Sequence, residues 1–201
     1  MAKSAWSFKS ATELSAALAA KKVSAVELAQ DAISRIERHD GKINAICVRD
    51  FERGLDAARA ADASRARGEN KPLLGIPLTV KESYNIAGLP TTWGFPPQKD
   101  FVPPADALSI SRVKQAGGVI LGKTNVPVGL GDWQSYNEIY GTTNNPFDLG
   151  RTPGGSSGAV RCACPRFTAA SMRTSRPTIW RQCAGIRRRR SRRYRSTATW
   201  P

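Results

Sequence analysis

Residues 150–158 read GRTPGGSSG, a loop built mostly from small residues. Small residues let the backbone approach a ligand closely, and successive N–H groups in such a loop can hold an oxyanion. Ser156 and Ser157 add two hydroxyls, which suits a proton relay. A flexible Gly/Ser linker is the competing interpretation, but residues 145–150, NPFDLG, are rigid and apolar rather than linker-like.

A second informative stretch is GIPLTVKE, residues 75–82. Lys81 lies at the end of this apolar strand. Burial destabilises an ammonium group, so the pKa of a buried lysine falls and the lysine can act as a base. The ordinary alternative is a strand-end lysine that reaches water, with Glu82 as a surface neighbour. On the local sequence alone, this alternative is favoured.

Periodicity and turn residues predict an ordered α/β chain through residue 159. Capping-box sequences at Ser10 and Ser24 predict two helices, the second ending at Gly41. The remaining predicted elements are a strand over residues 43–48, a surface helix over 50–67 stopped by Gly68, a strand beginning at Leu78, a helix from Asp106 to Gln115 with Ile110 and Val113 facing inward, and a strand over 119–121. Short glycine turns between strands and helices favour βαβ units and a mixed or parallel sheet.

Composition narrows the class of protein. The 201 residues suit one domain or slightly more, and 40% hydrophobic with 23% charged residues excludes a collagen-like or wholly disordered chain. No apolar run approaches the roughly 18 residues needed to span a bilayer. The N-terminus has no apolar core of signal-peptide length. We therefore expect a cytoplasmic protein without a membrane partner.

The net charge of +15 is unevenly distributed. Residues 160–201 contain 12 arginines and no lysine or acidic residue, whereas residues 1–159 carry a net charge of only +3. The excess charge therefore belongs to the last fifth of the chain. The arginine-rich run at residues 187–195 has no apolar period, which is typical of a disordered segment.

Few residues suit metal or histidine chemistry. The single histidine, His39, is predicted to be a surface residue near a helix end. Cys47 stands alone, and the spacing of Cys162 and Cys164 is too close for a zinc knuckle, while Cys183 lies further along the tail. No glycine run matches a phosphate-binding or dinucleotide-binding loop. We expect no metal and no cofactor.

Four motifs together resemble the amidase signature family over about residues 10–158. They are LGIP at 74–77, VKE at 80–82, GKTNVP at 122–127 and the stretch from NP at 145–146 to Gly158. The resemblance implies an α/β fold with a mixed sheet flanked by helices, of which residues 1–159 are the N-terminal portion in truncated form. It also implies a Ser–Ser–Lys triad that hydrolyses small-molecule amides through an acyl-enzyme.

Site residues follow from the resemblance by position. Lys81 is the buried base and Ser156 the bridging serine. The remaining signature-loop residues are Gly154, Gly155, Ser157 and Gly158, with Ser157 pointing away from the relay in the family pattern. Candidate substrate-pocket residues are Leu130, Gly131 and Asp132. Three aromatic residues could line an acyl pocket, namely Trp93, Trp133 and Tyr136. Buried aromatic residues are, however, more often part of the apolar core.

The resemblance stops near residue 159. The family's nucleophilic serine follows the bridging serine in a Gly-Gly-Ser segment, but residues 176–183, RPTIWRQC, contain none. The nucleophile is therefore expected to be absent from this chain. A reading-frame shift near Ala159 would explain the abrupt change. The only tryptophan codon is TGG, so at Trp180 the codon read one base later begins with GG and encodes glycine, which is compatible with the family segment. We expect residues 160–201 to be an out-of-frame, disordered tail.

Other functions remain open. One alternative is the A-type subunit of the transfer-RNA amidotransferase, which belongs to the same family. Residues 132–135, DWQS, do not match that subfamily's usual segment, so a stand-alone amidase is favoured. Another is a non-enzymatic fragment whose basic tail binds nucleic acid non-specifically. A homodimer is also open for the full-length family member.

Overall fold

The computed structural model of the chain describes residues 5–155 together with Ser157 and Gly158. The elements, in chain order, are α1 (Ala11–Ala19), α2 (Ala25–Ile43), β1 (Ile46–Arg49), α3 (Phe51–Ala66), β2 (Pro77–Lys81), α4 (Leu108–Gln115), β3 (Val119–Thr124), β4 (Tyr136–Asn137) and β5 (Gly141–Thr142). Single 3-10 turns cover Pro96–Gln98 and Val128–Leu130. Within the described ranges, no helix is long and apolar enough to cross a membrane.

Some of the features predicted from the sequence lie outside the described residues. These are the position of Ser156, the proposed frame shift at Ala159, and the arginine-rich tail with its three cysteines at 162, 164 and 183.

The three main strands form a mixed sheet in the order β1, β3, β2. Strands β2 and β3 are parallel and β1 runs antiparallel to β3, which confirms the predicted mixed topology. The register pairs Pro77 with Val119 and Lys81 with Thr124. Because parallel strands end at the same edge of a sheet, Lys81 and Thr124 lie together at the carboxyl edge.

Both predicted capping boxes are present at the starts of α1 and α2. In α2 the Ser24 hydroxyl accepts the N–H of Glu27 at 3.1 Å, and the Glu27 carboxylate accepts the N–H of Ser24 at 2.8 Å. The start of α2 is further supported from α3. The carboxylate of Asp62 accepts two otherwise unpaired N–H groups, from Ala25 at 2.7 Å and Val26 at 3.1 Å.

The predicted end of α2 at Gly41 is wrong. The helix continues to Ile43 and is capped by Asn44 in the left-handed conformation, at φ 54° and ψ 48°. The buried carboxylate of Asp40 accepts the N–H of Ala45 at 2.7 Å and also the N–H of Ile46. These bonds fix the exit from the helix, so β1 begins at Ile46 rather than at Ile43.

Helices α3 and α4 correspond to the two remaining predicted helices. Helix α3 agrees with its prediction, and Gly68 follows closely after its end. Helix α4 begins at Leu108 without a side-chain cap, so the predicted capping role of Asp106 is wrong. Instead, the Asp106 carboxylate accepts the N–H of Ala87 at 2.9 Å and pairs with Lys114 at 2.7 Å. Asp106 therefore ties the start of α4 to the loop after β2.

Alternate residues of β3 divide the apolar core into two clusters. Val119 and Leu121 pack with the apolar faces of α1, α2 and α3. Ile120 packs with Val80 and Ile110, and the predicted inward orientation of Ile110 is confirmed by its 3% exposure. Because successive strand residues point to opposite faces, both faces of β3 are packed by apolar side chains within the described part of the chain.

Candidate functional site

The carboxyl edge of β2 and β3 carries Lys81, the candidate base of the sequence analysis. Lys81 is the last residue of β2, and the backbone N–H of Glu82 donates to the carbonyl of Thr124 at 2.9 Å. Ligands of α/β proteins commonly bind at the carboxyl ends of parallel strands. This edge is therefore the place where a site is expected from topology alone.

Lys81 is half-buried and directed towards the signature loop. Its ammonium donates to the Ser157 hydroxyl oxygen at 3.2 Å. Burial lowers the pKa of Lys81 below that of a free lysine. The alternative of a lysine extended into water therefore does not hold. The expectation that Ser157 points away from the relay is also wrong, because its hydroxyl lies within hydrogen-bond reach of Lys81.

The signature loop follows its expected tight course where the structure describes it. Gly154 adopts a left-handed backbone with φ +83°, and its N–H donates to the Thr152 hydroxyl at 3.1 Å. Gly155 lies directly against the backbone of Trp133, where a Cβ at position 155 would collide with the peptide group. Gly158 is buried. The loop thus depends on glycine for its shape at 154 and for close contact at 155.

The residues before the loop are rigid, as their composition predicted. The side-chain oxygen of Asn145 accepts the N–H of Phe147 at 2.9 Å, and its amide donates to the carbonyl of Thr152 at 3.3 Å. Arg151 donates through its backbone to Asp148 at 3.0 Å and through its guanidinium to the same residue at 2.8 Å. The flexible-linker interpretation of residues 150–158 is therefore contradicted at Arg151 and Thr152.

The candidate pocket residues form a turn beside the loop. Leu130 has a left-handed backbone with φ +62°. Gly131 is exposed, and the carboxylate of Asp132 accepts the N–H of Trp133 at 2.5 Å. Since Trp133 also contacts Gly155, the structure brings this turn and the signature loop together. One carboxylate oxygen of Asp132 is already used within the turn.

The three candidate aromatics are not core residues. Trp93 is 41% exposed, Trp133 is 80% exposed and Tyr136 is 46% exposed. Trp93 is joined to the turn at residues 128–133, because its carbonyl accepts the N–H of Gly129 at 2.8 Å. Among the described residues, these three rings are therefore part of the surface and not of the apolar core.

Sequence reasoning missed the role of Glu82. It is fully buried rather than a surface neighbour of Lys81. Its carboxylate accepts the backbone N–H of Thr92 at 2.5 Å and of Trp93 at 3.1 Å, and the hydroxyl of Tyr140 at 3.2 Å. The sequence feature that could have indicated its burial is the position of a charged residue directly after a buried strand.

Lys123 is a second buried lysine that the sequence did not single out as a site residue. It is fully buried within β3, and its ammonium donates to the carbonyl of Pro90 and to the hydroxyl of Thr91 at 2.7 Å. Burial lowers the pKa of Lys123 to about 8, while the charge of Glu82 acts in the opposite direction. The signal was its position inside the apolar strand VILGKT.

Buried amides hold the hairpin of β4 and β5 against the end of β3. Asn125 donates to the carbonyl of Gly141 at 2.9 Å and to the hydroxyl of Thr143 at 3.1 Å. Asn137 donates to the side-chain oxygen of Asn125 at 2.9 Å and to the carbonyl of Val126 at 2.8 Å. The motif at residues 122–127 is therefore a structural support for the site.

The residues considered for histidine and thiol chemistry lie elsewhere. His39 is exposed on α2, as predicted. Cys47 lies in β1, where burial raises the pKa of its thiol, and its sulfur donates to the carbonyl of Lys123 at 3.5 Å. A cavity of about 340 Å³ lies along α3 and the residues preceding β3, and none of the predicted site residues lines it.

Comparison with known proteins identifies relatives. A protein-family model described as Amidase matches residues 27–160. The A-type subunit of the glutamyl-tRNA(Gln) amidotransferase of Aromatoleum aromaticum is 46% identical over 154 residues, which cover 77% of this chain and 31% of that protein. Its counterpart from Acidothermus cellulolyticus is 41% identical over 162 residues, which cover 80% of this chain and 32% of that protein. The chain thus spans about a third of the length of the curated relatives it matches.

Solved structures share the fold over the same part of the chain. A component of a vestigial protein complex related to the origins of an s-triazine catabolic enzyme has a TM-score of 0.74 at 37% identity, covering 77% of this chain and 34% of that chain. A bacterial aryl acylamidase of the amidase signature enzymes has a TM-score of 0.73 at 28% identity, covering 79% and 33%. Peptide amidase from Stenotrophomonas maltophilia has the same TM-score and identity, covering 79% and 34%.

Proposed function

Because the chain belongs to the amidase family, whose model matches residues 27–160, we propose that it carries the lysine side of a Ser–Ser–Lys amide hydrolase. The observation that supports this most directly is the contact of Lys81 with the signature loop, 3.2 Å from the Ser157 hydroxyl. A half-buried lysine with a lowered pKa is the form of lysine that can accept a proton.

The proposed reaction moves protons through hydroxyl groups. Neutral Lys81 takes the proton of Ser156, and Ser156 takes the proton of the nucleophilic serine, whose oxygen attacks the amide carbonyl carbon. The tetrahedral intermediate collapses when the C–N bond breaks and the departing nitrogen receives the relayed proton. Water then attacks the acyl-enzyme and releases the carboxylic acid. This relay requires no histidine, which agrees with the exposed position of His39 on α2.

The 201-residue chain is proposed to be inactive by itself. Its sequence offers no Gly-Gly-Ser segment over residues 176–183, so neither the nucleophile nor its oxyanion donors are supplied there. We attribute this to a frame shift near codon 159. Sequencing the gene tests it: an uninterrupted frame in close relatives that encodes the same arginine-rich tail would contradict the shift.

The activity test compares the chain with a frame-restored gene product. We expect no turnover of small aryl or aliphatic amides by the chain, and turnover by the restored protein that Lys81→Ala and Ser156→Ala each reduce by several orders of magnitude. Matched controls are Lys99→Ala and Ser34→Ala at exposed positions, which should retain activity. Turnover by the 201-residue chain, lost on Ser156→Ala, would instead make Ser156 the nucleophile.

Ser157 gives a second comparison within the loop. Its hydroxyl contacts Lys81, but the proposed relay does not pass through it. Ser157→Ala in the restored protein should therefore cost far less activity than Ser156→Ala. Equal losses would show that the relay uses both hydroxyls.

A second candidate function is that of the A-type subunit of a transfer-RNA amidotransferase. It is favoured by curated relatives of that name with 41% and 46% identity. Amide transfer to glutamyl-tRNA(Gln) by the restored protein, together with copurification of further subunits, would support this function. Efficient hydrolysis of aryl amides by the isolated restored protein would favour a stand-alone amidase.

A further inference from the structure

Lys81 and Glu82 are adjacent in sequence but have different surroundings. Lys81 is half-buried and donates to Ser157 of the signature loop. Glu82 is fully buried and accepts the N–H groups of Thr92 and Trp93. Lys81 is the last residue of β2 and Glu82 follows it directly, so the end of β2 brings one charged group to each of two segments. The second segment has no role in the proposed relay.

The contacts of Glu82 require a carboxylate. The N–H of Thr92 donates to Oε1 at 2.5 Å, whereas the N–H of Trp93 donates to Oε2 at 3.1 Å. The Tyr140 hydroxyl adds a contact to Oε1 at 3.2 Å. A glutamate side chain presents an oxygen acceptor at both ends. A glutamine amide would place its NH₂ group against one backbone N–H in either orientation.

Lys123 holds the other end of the same segment, which comprises residues 90–93. Its buried ammonium donates to the carbonyl of Pro90 and the hydroxyl of Thr91. Residues 90–93 are thus bound by two charged side chains, Lys123 of β3 and Glu82, which directly follows β2. Buried charged groups that hydrogen-bond to a segment fix the geometry of that segment.

The segment is connected to the candidate pocket through its last residue. The carbonyl of Trp93 accepts the N–H of Gly129 at 2.8 Å. Trp93 and Leu130 both adopt the left-handed backbone, with φ of 53° and 62°. Non-glycine residues remain in this conformation only where their surroundings hold them. Glu82 binds the backbone N–H of Trp93, and Gly129 binds its carbonyl.

We infer that Glu82 is a positioning residue for the amide substrate. Its carboxylate fixes Trp93, Trp93 fixes Gly129, and this sequence of bonds sets Leu130 and the candidate pocket turn that follows it. The assignment of that turn to substrate binding rests on the proposed amide hydrolase, whereas the connection itself rests on the contacts above. Adjacent residues therefore divide two tasks: Lys81 moves the proton and Glu82 shapes the binding surface.

Hydrogen exchange of the full 201-residue chain tests the connection without requiring activity. Glu82→Gln should accelerate exchange of the amides of Thr92, Trp93 and Gly129 by about tenfold or more, because a charged hydrogen-bond acceptor is lost. The matched control is Glu52→Gln, at an exposed position of α3, which should leave these three amides unchanged. Acceleration at residues 92 and 93 with no change at Gly129 would overturn the inference.

A milder variant covers the case in which Glu82→Gln fails to fold. Tyr140→Phe removes one donor to the carboxylate and retains the aromatic ring and both backbone donors. Exchange at Trp93 and Gly129 should then increase together, by about two- to threefold. An increase at Trp93 with Gly129 unaffected would again overturn the connection.

Kinetics of the frame-restored protein separate this role from the chemistry. Glu82→Gln should raise KM for the amide about tenfold while kcat changes little, in contrast to the loss of kcat expected for Lys81→Ala. A loss of kcat with KM unchanged would contradict the positioning role. If the unmutated restored protein hydrolyses no amide, the proposed function fails, and the exchange experiment still decides the connection.

Discussion

The helical layer and the carboxyl edge of the sheet bury different kinds of side chain. Beneath α1, α2 and α3 the buried residues are almost all aliphatic, with Leu18 at 1% and Leu28 at 3% exposure. At the carboxyl edge, fully buried residues include Glu82, Lys123 and Asn125. One region is held by apolar contact, whereas the other is held by hydrogen bonds between groups that water would otherwise bind.

The difference separates stability from specificity. Apolar burial is favourable for nearly any well-filled arrangement. Buried charges and amides are tolerated only when each finds its partners, and one misplaced partner costs the full desolvation of the group. The carboxyl edge is therefore the part of the molecule whose arrangement is narrowly defined, which is what a site for chemistry requires.

The largest effect is expected from opening the apolar layer. Leu18→Ala should lower the free energy of unfolding by about 2–5 kcal/mol, because it removes buried methyl groups and leaves a cavity. Urea unfolding followed by tryptophan fluorescence measures this loss. Leu108→Ala is the matched control, since Leu108 is 68% exposed and should change stability by less than about 0.5 kcal/mol. Equal effects would contradict the burial of Leu18 in the apolar layer.

An intermediate effect is expected from the buried ammonium of the polar region. The pKa of Lys123 is about 8 in the folded chain and 10.5 for an ordinary lysine. Between these values the unfolded chain binds more protons, so the contribution of Lys123 makes the free energy of unfolding rise with pH. Between pH 8 and 9 the rise should be about 1 kcal/mol.

Lys123→Met isolates that contribution. Between pH 8 and 9, the free energy of unfolding measured in urea should rise more for the parent than for this variant. Lys81, whose pKa burial also lowers, remains in both proteins and cancels. Burial raises the pKa of Cys47 and Tyr140, and both groups are likewise present in both proteins. A pH-independent difference would contradict the burial of the ammonium.

The smallest effect is expected at the start of α2. Ser24→Ala removes one side of the capping box, but Asp62 still accepts the N–H groups of Ala25 and Val26. The loss should therefore be at the low end for a helix cap, about 0.5 kcal/mol. Ser34→Ala in the exposed middle of the same helix is the control. A loss of about 2 kcal/mol, the upper end for a helix cap, would show that Asp62 does not share the capping role.

Local signals predicted most of the fold. The capping boxes, the helix before Gly68 and the strand at residues 119–121 need only nearby residues, and each is present. The end of α2 could not be predicted in this way, because it depends on Asp40 binding the N–H groups of Ala45 and Ile46. The role of Asp106 could not be predicted from its neighbours either. Its partner Ala87 lies far back in the sequence, and its partner Lys114 lies near the end of α4.

Sequence motifs predicted the positions of the site residues, but not which residues they contact. The sequence placed Lys81 at a strand end and the glycines in a tight loop, and both are found there. The burial of Glu82 could not be read from its neighbours, because its three donors come from residues 92, 93 and 140. The contact between Lys81 and Ser157 joins residues 76 positions apart. Such pairings depend on the assembled sheet edge.

The contact between Gly155 and Trp133 involves the backbone of position 133, while the indole ring is 80% exposed. The two positions should therefore differ sharply in their tolerance of substitution. Position 155 accepts only glycine, whereas position 133 can exchange its side chain without displacing the loop. The surface beside the loop can thus diversify by mutation at 133 while the geometry around Lys81 is retained, and a library randomised at this one position would sample new surfaces on an unchanged frame.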